Sequence, residues 1–348
     1  MEQAPRKALF WENNSITFID QTALPLKLEY VTTDDYREIV AAIKTLRIRG
    51  APLIGIAAAY AAVLGALKGI RLESAQFHAR MKTVLEDIES SRPTAKNLFF
   101  AVDAMRSVLD FNREEESHTL KERLLEQAVR IHREDESLCE RIGRFGAELI
   151  HDGDGIITHC NTGMLVTGGI GTALGVIITA HKSGKKIHVY ADETRPLLQG
   201  ARLTTWECRM NSVPVTLICD GAAAAVIKKK KVQCAITGAD RIAPNGDTAN
   251  KIGTYSLAVQ CKEHNIPFYV AAPYSTFDFS IESGDDITIE ERSSREVTHP
   301  AGQQTAPDNI DVYNPAFDVT PASLISAVIT DAGVFYPPYG SWKDLKRS

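Results

Sequence analysis

Two polar strings bring together residue types that can do covalent and acid–base chemistry. One is Thr158-His159-Cys160-Asn161-Thr162-Gly163, the other Gly238-Ala239-Asp240-Arg241. Each follows a short apolar run, 155–158 and 232–237, with the composition of a buried strand. A cysteine in a strand-to-loop turn, ahead of Gly168, Gly169 and Gly171, can feel the dipoles of a helix start, which favour thiolate. The same position also suits a small buried residue. An aspartate at a strand end, partly desolvated, can act as general acid or base, or it can simply cap its own loop. Asn245-Gly246 then reads as a tight turn, and Asn250-Lys251 as lying near the start of a helix over 248–264. A lysine there opposes the helix dipole unless it binds an anion.

Two arginine-bearing strings lie earlier. Arg47-Ile48-Arg49-Gly50-Ala51-Pro52 opens an alanine-rich segment, and Ser91-Arg92-Pro93-Thr94 opens another helical pattern. Arginine beside Gly or Pro at a helix start suits a phosphate, although a plain surface arginine is the commoner case. The Gly168–Gly171 spacing is not G-x-G-x-x-G and there is no P-loop, so no nucleotide cofactor is expected. None of the six cysteines forms a CxxC pair, so no metal is expected.

These residues need elements to position them. Alternating residues at 15–19 and 26–30 predict a small β meander, and Thr33 offers an N-cap to a helix carrying Tyr36, Ile39, Val40, Ile43 and Leu46. Residues 51–67 are uncharged but short of a membrane span, and they read as a closely packed buried helix. Further helical stripes follow: Phe77, Met81, Val84, Leu85, Ile88, then Leu98, Val102, Met105, Leu109. A charged helix over 117–150 looks like a connector, which places a boundary between residues 1–130 and 131–348. Beyond Gly155, strand runs at 155–158, 187–191, 215–219, 232–237 and 268–271 alternate with helical segments at 169–183, 200–210, 222–229 and 248–264. This cadence predicts an α/β architecture with a mainly parallel sheet, whose ligands sit beyond the carboxyl ends of the strands. Cys160 and Asp240 both fall at that edge.

With 348 residues, 44% hydrophobic and 24% charged, the chain can bury one or two ordinary cores. Its balance of 39 basic against 44 acidic residues argues against a nucleic-acid or membrane surface. The first ten residues lack the apolar core of a signal peptide, so a reduced, cytoplasmic protein is expected.

Seven strings in order resemble the methylthioribose-1-phosphate isomerase family: RGAPLIGIAAAY from Arg49, SRPTAKNLFFAV from Ser91, THCNTGMLVTGGIGTALGVI from Thr158, DETRPLLQGARLTTWE from Asp192, TGADRIAPNGDTANKIGTYSLAV from Thr237, PFYVAAPYSTFD from Pro267 and NPAFDVTP from Asn314. That family is grouped with ribose-1,5-bisphosphate isomerases and the regulatory subunits of translation initiation factor 2B. The resemblance implies an N-terminal domain with a small antiparallel sheet plus helices, a C-terminal Rossmann-like domain, and a homodimer. It also implies the aldose–ketose isomerisation of 5-methylthioribose 1-phosphate in methionine salvage, without a cofactor. By motif, the reactive cysteine falls on Cys160 and the acid/base aspartate on Asp240. Substrate contacts fall on Arg49, Gly50, Ala51, Arg92, Gln199, Asn250 and Lys251. Cys160 is then either a base or a polarisable stabiliser of a cationic intermediate, and Asp240 needs a raised pKa, which apolar burial would supply. Met164 stands where members often carry a small residue, and 294–309 looks local to this chain. The related alternatives are a ribose-1,5-bisphosphate isomerase and a non-catalytic regulatory subunit.

Overall fold

The computed structural model describes residues 7–92 and 96–339. Pro93 and Thr94 of the second arginine string lie outside them. Among the described residues one compact unit runs to Leu138 and takes in Met164–Gly171; the other comprises Cys139–Gly163 and the chain from Thr172 on.

The N-terminal unit opens with an antiparallel sheet of β1 (Leu9–Glu12), β2 (Ser15–Ile19) and β3 (Tyr30–Thr33), in that order. The expected strand at 26–30 is instead turn and coil, and Leu26 is 95% exposed. The five residues of β2 leave room for one partner on this side, and Tyr30-Val31-Thr32-Thr33, rich in β-branched side chains, takes it from Ile19 back to Ile16. Helices α1 (Tyr36–Lys44), α2 (Ala51–Leu67), α3 (Ser74–Glu89), α4 (Lys96–Phe111) and α5 (Ser117–Ala147) follow. Asp35, not Thr33, caps α1, its carboxylate accepting the Arg37 amide.

Helix α2 explains its own composition. Every residue from Leu53 to Ala66 is buried, so the helix has no solvent face to make polar. A Cβ on Gly55 would come within 2.8 Å of the Asn97 carbonyl, and one on Gly65 within 2.5 Å of Val84. These two glycines let α4 and α3 close on α2. Among the described residues no helix is long and apolar enough to cross a membrane.

The C-terminal unit is built on a seven-stranded sheet. Its strands are β4 (Gly155–Thr158), β5 (His188–Asp192), β6 (Val215–Ile218), β7 (Cys234–Thr237), β10 (Phe268–Ala271), β12 (Ala327–Thr330) and β13 (Gly333–Phe335). The spatial order is β13-β12-β10-β7-β4-β5-β6, and all pairings are parallel except β12 with β13. Alternate residues feed opposite cores. Ile156 and Ile236 pack with Leu174 and Ile177 of α6 (Ala173–Lys182). Ile157 and Ala235 pack with Ile227 of α8 (Ala223–Lys228) and Leu257 of α9 (Thr254–Glu263). A sheet buried on both faces requires near-continuous apolar strands, and that is why these runs are legible. Between β5 and β6 the chain also forms a π-helical turn, Gly200–Thr204, leading into α7 (Thr205–Met210).

Two helix expectations are corrected. Helix α6 begins at Ala173 rather than at Gly169, because residues 163–171 form a loop closed at its base by the Thr172 amide donating to the Thr162 carbonyl. The expected helix over 248–264 is two elements. A second antiparallel sheet, ordered β11-β9-β8, consists of β8 (Arg241–Ile242), β9 (Thr248–Lys251) and β11 (Phe317–Thr320). Only at Gly253, with φ of +103°, does the chain turn into α9.

Candidate active site

Strands β4 and β7 are neighbours, so the turns that leave their carboxyl ends adjoin. Cys160 follows β4 and Asp240 follows β7. A Cβ on Gly238 would lie 2.7 Å from Thr162 Cγ2, so the two turns pack directly on one another. The structure therefore brings the two sequence-predicted reactive residues to one sheet edge.

Cys160 sits in the left-handed region at φ of +63°, a conformation that costs a non-glycine residue about 1–3 kcal/mol. Both its peptide groups are held. Its amide donates to Thr194 Oγ1 at 2.8 Å, and its carbonyl accepts from Thr204 Oγ1 at 2.6 Å. Thr194 is itself left-handed, also at +63°, and its amide and that of Arg195 donate to the two Asp220 oxygens at 2.7 Å each. Asn161 Nδ2 donates to Glu207 Oε1 at 2.8 Å, a carboxylate that is 1% exposed. The turn is thus over-determined by side chains of two other segments, and Cys160 remains 9% exposed. Three other thiols are unsuited to chemistry: burial pushes Cys208 and Cys261 up to about 12, and Cys234 higher still. The Cys160 environment differs from the expected helix start, since α6 begins well downstream.

Asp240 is exposed, not buried against apolar groups as the sequence suggested. Its amide donates to the Ala249 carbonyl at 2.9 Å, which ties it to β9. Asn250 and Lys251 are the last residues of β9, a strand end rather than a helix start. Asn250 is 4% exposed and donates to Thr254 Oγ1 at 2.9 Å. Lys251 Nζ donates to the Ala316 carbonyl at 2.9 Å and lies 4.5 Å above the Phe317 ring. Gln199, beside the π-helical turn, is buried, and its Oε1 has no hydrogen-bond partner among the described residues. An unsatisfied buried amide oxygen costs free energy.

Arg49, Gly50, Ala51 and Arg92 stand in the N-terminal unit. Gly50 is the N-cap of α2 at φ of +88°, and a Cβ there would lie 2.3 Å from that of Val166, so glycine is required twice over. Arg49 and Arg92 are half-buried.

Sequence reasoning missed His159. Its ring is 1% exposed. Nδ1 lies 3.0 Å from Asp192 Oδ2, and Nε2 lies 2.8 Å from the Ile252 carbonyl oxygen. Burial alone would lower the imidazole pKa, but the Asp192 carboxylate outweighs it and holds the ring above its ordinary value. Burial raises Asp192 in turn, with His159 offsetting only part. Donor atoms of His159, Asp192 and Asp220 fall within 4.8 Å of one another; hydrogen bonds engage His159, Asp192 Oδ2 and Asp220, while the buried Asp192 Oδ1 has no hydrogen-bond partner among the described residues. The available signal was adjacency: His159 and Asp192 lie inside the strings read for Cys160 and Gln199.

Comparisons with known proteins bear on the family of the chain. The family model described as the initiation factor 2 subunit family matches residues 47–337. A curated methylthioribose-1-phosphate isomerase of Geobacter sulfurreducens is 53% identical over 96% of this chain and 96% of its own. The crystal structure of 5-methylthioribose 1-phosphate isomerase from Pyrococcus horikoshii OT3 superposes with a TM-score of 0.94 at 40% identity, covering 98% of this chain and 96% of that one. A structure titled translation initiation factor eIF-2B, subunit delta, from A. fulgidus gives 0.89 at 43% identity over 96% of each chain. The chain belongs to the initiation factor 2 subunit family and, within it, to the methylthioribose-1-phosphate isomerases.

Proposed function

We propose that the protein is an aldose–ketose isomerase that converts 5-methylthioribose 1-phosphate to 5-methylthioribulose 1-phosphate in methionine salvage. The observation that carries the reading is the 53% identity, over nearly the full length of both chains, with a methylthioribose-1-phosphate isomerase. The constrained cysteine turn packed beside the Asp240 turn gives that reading its chemistry.

The anomeric oxygen of this substrate carries phosphate, so the ring cannot open as a simple hemiacetal. Asp240 gives a proton to the ring oxygen, the bond from carbon 1 to that oxygen breaks, and carbon 1 becomes oxocarbenium-like. Hydrogen then moves from carbon 2 to carbon 1, and the carbon 2 hydroxyl returns its proton to Asp240 as the ketone forms. Because Asp240 is exposed in the free protein, the bound sugar itself has to supply the desolvation that favours the protonated acid. Cys160 is either the base at carbon 2 or the polarisable group beside the cation. Arg49, Arg92 and Lys251 hold the phosphate by charge-assisted hydrogen bonds, and Gly50, Ala51, Gln199 and Asn250 complete the contacts. The working form is a cytoplasmic homodimer, which light scattering on the purified protein checks.

The likeness to the A. fulgidus structure favours a second reading, a non-catalytic regulatory subunit. Side-by-side assay of 5-methylthioribose 1-phosphate and ribose 1,5-bisphosphate decides. Turnover of the first well above the second is expected. Preference for the bisphosphate, or no turnover of either with stable co-purification in a translation-factor assembly, would reject the proposal.

A further inference from the structure

His159 joins three loops at one buried point. It precedes Cys160 in the chain. Its Nδ1 faces Asp192 Oδ2, at the head of the segment that leads to Gln199. Its Nε2 faces the carbonyl of Ile252, the residue after Asn250 and Lys251. The contact with the third loop is close on both sides: a Cβ on Gly253 would lie 2.8 Å from His159 Cε1. Both ring nitrogens thus face acceptors, which a neutral imidazole with one N–H cannot satisfy alone. The pair meets the demand with one shared extra proton, as imidazolium with carboxylate or as imidazole with carboxylic acid. In either form Nε2–H donates to Ile252. That donor is a direct polar link between the cysteine turn and the residue that follows β9.

We infer that His159 is a positioning residue, whose Nε2–H donation to the Ile252 carbonyl holds Asn250 and Lys251 in register with Cys160. The inference rests on the isomerase reading, under which Asn250 and Lys251 touch the sugar phosphate while Cys160 meets its reacting carbons. A register set by a buried ring acts on binding more than on the chemical step, so its loss appears mainly in KM.

Two substitutions separate the two ring nitrogens. In His159→Gln the side-chain amide reaches the Nε2 position and keeps a donor for Ile252. In His159→Asn it reaches only the Nδ1 position and keeps the Asp192 contact alone. The expected result is a KM rise of about threefold for His159→Gln and about tenfold or more for His159→Asn, with kcat changing less than KM in both. Equal KM effects in the two variants, or a milder His159→Asn, would overturn the inference. Should His159→Asn not fold, Asp192→Asn takes its place. Its amide donates to Nδ1 and leaves Nε2–H on Ile252, so KM stays within the His159→Gln range, and a rise of tenfold or more overturns the inference. Amide hydrogen exchange of the segment 249–255 is measured in parallel without substrate, and faster exchange is expected in His159→Asn than in His159→Gln. Wild-type protein that fails to turn over 5-methylthioribose 1-phosphate sinks the isomerase reading. Equal exchange in the two variants sinks the positioning role by itself.

Discussion

Cys160 shows how much surrounding structure can fix a single strained residue. Its left-handed backbone is held by hydroxyls of Thr194 and Thr204, which lie 34 and 44 residues along the chain. Cys160→Ser and Asp240→Asn leave those backbone bonds in place, because both engage main-chain atoms. Each substitution is therefore expected to lower kcat by about a hundredfold or more while sugar-phosphate binding by calorimetry persists. Near-normal turnover in either would remove that residue from the mechanism. The role of Cys160 separates in deuterated water. A base that exchanges with solvent puts deuterium at carbon 1 of early product, whereas negligible deuterium there rejects a freely exchanging base.

At the scale of elements, α2 and α5 form a buried polar point inside the N-terminal unit. Tyr60 stacks on Trp11, and its hydroxyl lies 3.1 Å from Nδ1 of His132 on α5. Burial holds His132 below its ordinary pKa, with Glu136 offsetting part. The folded protein therefore keeps this ring neutral, while the unfolded chain takes up a proton below about pH 6.5. The stability it contributes is present above that value and is lost as pH falls toward the folded pKa. Acidification from pH 7.5 to 5.5 should thus lower the melting temperature of wild type more than that of His132→Gln, measured by calorimetric scans. An equal or larger drop in the variant would show that His132 is not buried neutral. The element-level errors have one cause as well. Residues 248–264 carry apolar positions that suit a helix, yet Asn245-Gly246 closes a hairpin and β11 supplies a partner strand from Phe317. A partner nearly seventy residues away decides strand over helix.

At the scale of the whole molecule, a mild acidic composition coexists with the cations proposed to hold the phosphate, because net charge is an average over the chain. Arg49 and Arg92 stand in one unit and Lys251 in the other. A ligand that binds only folded protein stabilises it by mass action. With Cys160→Ser to prevent turnover, 5-methylthioribose 1-phosphate at about one hundred times its Kd should add about 2.7 kcal/mol of stability, seen as a rise in melting temperature. Methylthioribose without phosphate should add far less, and equal shifts would reject the phosphate role of the cations.

What the sequence determined alone is the part of the molecule governed by local pattern. The doubly buried strands read as apolar runs, the amphipathic stripes of α3 and α4 as helices, and the all-buried α2 as an uncharged segment. Cys160 and Asp240 were legible because strand ends in a parallel sheet share one edge, whatever the details. The tertiary structure alone decided the exposure of Asp240, the strand that carries Asn250 and Lys251, and the contacts of His159. Its two hydrogen-bond partners lie 33 and 93 residues away. Spacing along a chain carries no record of such contacts, because the acceptors that settle a buried proton meet the ring only after the sheet has assembled.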